Sequence, residues 1–161
     1  MPSQKKRRRG IAAKQGGRKR PNAATAALAA HAPMAALAAT EADSATEDLQ
    51  NALKVMDVAR TALLQAEAGL GVIRRDSTDD TERAEAAVEL ISVTRELELL
   101  EARRRTLVDG TATLRPPPPG MVDEAQQRAS RLAQVLAANG KVSAIAGLFA
   151  DIARLTERLV A

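Results

Sequence analysis

Cysteine, tryptophan and tyrosine are absent from this 161-residue chain, and phenylalanine and histidine occur once each, as Phe149 and His31. The missing cysteine excludes a disulfide framework, a thiol nucleophile and a cysteine-based zinc site. A lone His31 in a flexible segment argues against a metal cluster and a histidine-based catalytic triad. The scarcity of aromatics removes the base-stacking platforms of RNA-binding sheets and OB barrels. What remains apolar is mostly Ala, Leu, Val and Ile, and no segment alternates with the two-residue period of a strand. These absences predict an all-α protein.

Charge is segregated along the chain. Residues 1–20 hold nine basic side chains: Lys5, Lys6, Arg7, Arg8, Arg9, Lys14, Arg18, Lys19 and Arg20. The first acidic residue is Glu41, and removing those nine from 24 Lys and Arg leaves 15 against 20 Asp and Glu, so residues 21–161 sum to −5. A basic end on a mildly acidic body marks an arm that meets a polyanion rather than a uniformly basic domain. Residues 1–22 also contain Gly10, Gly16, Gly17, Pro2 and Pro21, with Ile11 the one large apolar residue after Met1. Such a segment buries too little to offset its ordering entropy, and it reads as disordered when free.

Residues 23–39 are almost all Ala, with Leu28, Met34 and Leu37. A secretory signal fits poorly, because Ala is weakly apolar and the charged region before it is long. The stretch is too short, and too broken by His31 and Pro33, to span a membrane. An organellar transit peptide and a nuclear address share the composition. The reading adopted is a retained arm, in a protein of the cytoplasm, nucleoid or nucleus, with residues 1–40 forming a disordered tail.

Four helices are expected after that tail. Ser44-Ala45-Thr46-Glu47 has the spacing of a capping box, so the first helix is placed from there to about Leu70, ending at Gly71. Leu49, Met56, Leu63 and Leu70 recur every seven residues, with Ala52, Ala59 and Ala66 three places after, a coiled-coil seam for close approach. Leu53, Val55 and Leu64 widen that stripe. The second helix opens near Asp79-Asp80-Thr81-Glu82, carries Leu90, Val93, Leu97, Leu100 and Leu107, and closes at Gly110. Residues 41–110 thus read as a long antiparallel hairpin, and the run TATLRPPPPG over 111–120 as a stiff polyproline linker. A short hairpin over 121–161 follows. Its first helix has Val122, Ala125, Ala129, Leu132 and Leu136 on one face. Asn139-Gly140 makes the turn, and the last helix is striped with Ile145, Leu148, Ile152, Leu155 and Leu159 beside Phe149.

Candidate sites are few. Asp76, Asp79, Asp80, Glu82 and Glu85 lack the spacing of a calcium loop and read as acids at a helix start. Arg103, Arg104 and Arg105 suit a helix C-terminus, with Arg104 on the apolar stripe. The segment Arg115-Pro116-Pro117-Pro118-Pro119 has the composition that SH3-like grooves bind, and a spacer is the plainer reading. No nucleophile elbow or phosphate-binding glycine loop occurs. The chain is therefore expected to be non-enzymatic, without cofactor or metal.

The expected function is nucleic-acid binding without sequence specificity. Lys5, Lys6, Arg7, Arg8, Arg9, Arg18, Lys19 and Arg20 are assigned as phosphate contacts. Long, Ala-rich helices with wide stripes predict a homo-oligomer, with Leu49, Met56, Leu63, Leu97, Leu100, Ile152 and Leu155 as its interface. Several arms on one scaffold then bind a polyanion more tightly than one. The alternative is a structural or adaptor subunit docking on other proteins. In layout the chain resembles the small subunit of a phage terminase, with a basic start, a helical hairpin and further helices, although no helix-turn-helix is present. Membrane binding is not expected, since the Ala-rich stretch lacks Trp or Phe.

Overall fold

The computed structural model describes the backbone from residue 23 and the side chains from residue 40. Within that range the chain is all-α, with α1 at Ala23–Asp76, α2 at Asp80–Val108, α3 at Met121–Ala137 and α4 at Val142–Glu157. Residues Thr40–Ala161 form one compact unit. The basic segment expected to be disordered, residues 1–22, lies outside the described residues.

The first helix differs from expectation at both ends. It begins at Ala23, so residues 23–40 belong to a helix rather than to an irregular tail. Alanine is the strongest helix former, and an alanine-rich stretch carries the helix through the Ser44 box without a break. Thr46 lies inside the helix and its hydroxyl donates to Ala42 O at 2.9 Å, a back-bond of the helix interior. At the other end the helix continues past Gly71 to Asp76. Leu70, fully buried, and Ile73, packed against the core, bracket that glycine and hold the extra turn in place.

The other helix ends follow local chemistry. Asp79 caps α2 by accepting from the backbone N–H of Thr81 and Glu82 through Oδ1, at 2.8 and 3.4 Å. The α2 C-terminus closes with a Schellman motif. Gly110 sits at φ +66°, its N–H donates to Leu107 O, and the Thr111 N–H donates to Thr106 O. The α3 C-terminus repeats the motif with Asn139 at φ 52°, as the Asn139 N–H donates to Leu136 O and the Gly140 N–H to Val135 O.

Side-chain pairs give the helix directions. Asp57 lies beside Arg104, Arg60 beside Glu101 and Glu67 beside Thr94, so α1 and α2 run antiparallel. Arg128 of α3 donates to Asp151 O of α4, and the two helices are joined by the tight turn at Asn139-Gly140. Thr81 and Val88 share a groove with Val142 and Ser143, while Arg103 reaches Thr156 and Glu157, so α2 and α4 run parallel. Val58, Thr61 and Gln65 share a groove with Ala129, Ser130 and Ala133, so α3 lies along α1.

The result is one four-helix bundle with one core. Met56, Leu63 and Leu70 of α1 meet Val93 and Leu100 of α2, Leu132 of α3 and Ile145, Ile152 and Leu155 of α4 in a single buried cluster. Val55 and Ala62 are also fully buried, which explains the width of the α1 stripe: α1 has neighbours on two sides. Leu64, counted in that stripe, is 40% exposed. Each large side chain taken from water contributes about 1.5–3 kcal/mol, and the seam of Ala52, Ala59 and Ala66 lets neighbouring backbones close in around them.

The linker between α2 and α3 is tied down. The Arg115 N–H donates to Leu159 O and the Ala161 N–H donates to Thr113 O, both at 3.0 Å, around an antiparallel bridge between Leu114 and Val160. Ala112 and Leu114 pack against the core. Residues 111–115, the first half of the stretch expected as a stiff linker, are thus a strap held by residues 159–161. The apolar Leu114 is the reason, since it gains more by packing than by staying in solvent.

Candidate nucleic-acid interface

The residues assigned to phosphate, Lys5, Lys6, Arg7, Arg8, Arg9, Arg18, Lys19 and Arg20, all lie outside the described residues. What the structure does describe is how the body treats its own cations. Fifteen Lys and Arg belong to residues 40–161, and seven arginines among them stand in ion pairs. Arg60 pairs with Glu101, Arg75 with Asp76, Arg83 with Asp80, Arg103 with Glu157, Arg104 with Asp57, Arg128 with Glu124 and Arg154 with Asp151. Exposed pairs of this kind contribute little to stability, at most about 1 kcal/mol each, yet each one neutralises a cation that a phosphate would otherwise meet.

The arginine triplet at the end of α2 illustrates the point. Arg103 donates from Nη1 to Thr156 Oγ1 at 3.2 Å and from Nη2 to Glu157 Oε1 at 3.3 Å, tying α2 to α4. Arg104 turns the other way, with its Nε 3.5 Å from Asp57 Oδ1 of α1. That contact is an ion pair without hydrogen-bond geometry, because the buried Nε has no hydrogen-bond partner. Arg105 is exposed beside Leu64 and Glu101. Two of the three are therefore occupied between helices, which answers why Arg104 falls on the apolar stripe.

Four of the five acids at the start of α2 are likewise occupied, and Glu85 is exposed. Asp79 caps the helix, Asp80 pairs with Arg83, Asp76 pairs with Arg75, and Glu82 accepts from the Ser77 hydroxyl at 2.6 Å. Among the described residues no group of three or more His, Asp or Glu is placed to hold a metal ion. The groove between α2 and α4, about 490 Å³, is lined by Glu89, Glu96 and Glu157 together with Arg95 and Arg154. Mixed charge of this kind does not focus a field of one sign.

The residues named as an oligomer interface fall mostly inside the chain. Met56, Leu63, Leu100, Ile152 and Leu155 are each at most 1% exposed, and Leu97 packs against the same core. The first five cannot meet a second copy without opening the bundle, whereas Leu97 is half-buried. Leu49 is half-buried. The large apolar side chains that do face solvent include Val88 and Ile91, one helical turn apart on α2 and 61% and 73% exposed. Sequence periodicity passed them over because apolar residues on different faces of a long helix are told apart only by which face has a partner. No helix among the described residues is long and apolar enough to cross a membrane. Compared with known proteins, the chain matches no family model, no curated sequence and no solved structure.

Proposed function

We propose that this protein binds nucleic-acid phosphates through its basic N-terminal segment, without reading sequence, while the helical body serves as the scaffold. One observation carries the reading: nine cations and no acid lie in residues 1–20, against a net −5 over residues 21–161. Seven of the fifteen Lys and Arg in the body are drawn into pairs with acids, whereas the segment's nine cations have no acidic neighbour in sequence. Each phosphate neutralised by Lys or Arg releases condensed counterions, so affinity falls steeply with salt. Phosphate contacts position a protein on a duplex and carry no base information.

Self-association remains part of the proposal, since several arms on one particle bind a polyanion with high avidity. Its surface has to be other than the fully buried residues first named, and Val88 and Ile91 of α2 are among the exposed apolar side chains that could supply it. The same pair favours the second reading, a structural or adaptor subunit that docks on another protein.

The test compares the full chain with residues 23–161. Binding to labelled duplex DNA is measured at two salt concentrations, and molar mass by light scattering. The proposal expects a salt-sensitive affinity in the full chain that the shorter chain loses, with unchanged thermal unfolding. A full chain that ignores duplex at low salt overturns it. An Ile91→Glu variant that lowers the molar mass, or that detaches a protein partner, separates the scaffold's own association from docking on another protein.

A further inference from the structure

The proline run between α2 and α3 has a geometry that the phosphate-binding reading does not use. Proline fixes φ near −65°, and a residue before proline is pushed to the extended region. Arg115, Pro116, Pro117 and Pro118 each precede a proline, so all are driven toward polyproline II, a helix of three residues per turn. The run ends in a turn in which the Met121 N–H donates to Pro118 O at 3.1 Å, with Pro119 and Gly120 as its central residues and Gly120 at φ 81°, ψ 2°. That is a type II turn, with proline and glycine where the type requires them. Its front end is fixed by the bridge between Leu114 and Val160.

A polyproline II segment has three edges, each formed by residues three apart. Leu114 and Pro117 share one edge. Leu114 packs against the core and Pro117 is half-buried, so this edge turns toward the bundle. Arg115 and Pro118 share the second edge, Pro116 and Pro119 the third, and all four are exposed. Among the described residues the Arg115 side chain has no ion-pair partner, and no hydrogen bond reaches the carbonyls of residues 115–117. Aromatic-lined grooves that bind PxxP segments take a preformed polyproline II helix. Here one edge is seated on the protein and the other two are displayed.

We infer that residues 115–119 are a docking site for a partner protein domain with an aromatic-lined proline-recognition groove and an acidic side chain at its end for Arg115. A tethered, preformed segment loses less conformational freedom on binding than a free peptide, which favours its presentation on a folded body. Two exposed proline edges with a cation at their start are the features that a proline-recognition groove engages.

The experiment titrates the full chain with a panel of purified SH3 and WW domains, following amide resonances of Arg115, Gly120 and Met121. At least one domain is expected to bind, with shifts centred on residues 114–121. The double substitution Pro116→Ala, Pro119→Ala is expected to weaken that binding about tenfold or more, and Pro117→Ala to change it by less than about threefold. Arg115→Glu is expected to weaken it and a domain variant lacking its groove acid to become insensitive to that change. Pro116 and Pro119 are exposed, and thermal unfolding of each variant checks that the bundle is intact. Failure of every domain in the panel to bind overturns the inference. So does a double variant that binds like the parent, or a Pro117→Ala variant as weak as the double.

Discussion

Gly69 of α1 and Leu136 of α3 occupy adjoining space so closely that a Cβ at position 69 would stand 2.3 Å from Leu136 Cδ2. This is where the short hairpin rests on the long first helix. The approach depends on the absence of a side chain at one residue and on the reach of the other. Gly140 makes a comparable approach, but to a different kind of atom. A Cβ there would meet Val135 Cγ1 at 2.3 Å and the Val135 carbonyl oxygen at 2.8 Å.

The two glycines are therefore expected to respond differently to alanine. Leu136 is half-buried, and the atom in the way is the free end of its side chain, so a rotamer change relieves the clash. The gain in helix propensity, about 1 kcal/mol, offsets that adjustment, and Gly69→Ala is expected to leave stability within about 1 kcal/mol. Gly140→Ala pushes against a backbone oxygen that accepts the Gly140 N–H within the helix-ending motif, and is expected to cost about 1–3 kcal/mol. Urea denaturation of both variants checks the contrast. Equal losses would show that the α1–α3 contact is as rigid as the turn.

Leu100→Ala removes a side chain that is 1% exposed and belongs to the buried cluster to which all four helices contribute. Its cost is expected at about 2–5 kcal/mol, from lost burial and the cavity left behind. Ile91→Ala, at 73% exposed, is expected to stay within about 0.5 kcal/mol in the isolated chain. Chemical denaturation at two protein concentrations measures both. A large, concentration-dependent loss for Ile91→Ala would show instead that this side chain is buried between copies.

Thr156 is a buried polar residue of the core, 1% exposed, and its hydroxyl donates to Ala153 O at 2.8 Å while accepting from Arg103. Thr156→Val keeps the shape and leaves that Arg103 donor without its α4 partner. The expected loss is about 1 kcal/mol, since the Arg103 side chain retains 20% exposure and water takes up part of the role. A double-mutant cycle with Arg103→Ala is expected to show a coupling of about 0.5–1.5 kcal/mol. Additive losses would mean that the contact contributes nothing of its own.

The phosphate-binding reading makes a quantitative claim about salt. Replacing Lys5, Lys6, Arg7, Arg8 and Arg9 by Ala removes five potential phosphate contacts, each contributing about −0.9 to the slope of log affinity against log salt on duplex DNA. If all five engage, the slope flattens by about 4.5 while unfolding is unaffected. Fluorescence anisotropy across a salt series reads this directly. A slope that does not change places the contacts elsewhere on the protein.

Helix content, the apolar faces and several ends of helices were legible in the residues. The capping aspartate at position 79, the closing Gly110, the turn at Asn139-Gly140 and the stripes through Met56, Leu100, Leu132 and Ile152 all stand where local chemistry puts them. The start of the first helix was not, because Ser44 and Glu47 satisfy a cap pattern that an alanine-rich helix passes through. The candidate arm is legible only as charge, since residues 1–22 lie outside the described part of the chain.

Periodicity and end chemistry are local properties of the chain, and they place the middle of each helix and most of its buried face. Which face meets which is set by packing. Met56, Leu63, Leu100, Ile152 and Leu155 have patterns equally suited to a second copy or to the chain's own helices, and the bundle assigns them to the latter. Tertiary structure also decided the place of residues 111–115, whose tie to Leu159 and Ala161 joins segments more than 40 residues apart in the sequence. No local signal specifies such a pairing; it follows from the closure of four helices around one core, which brings the linker and the C-terminus to the same end.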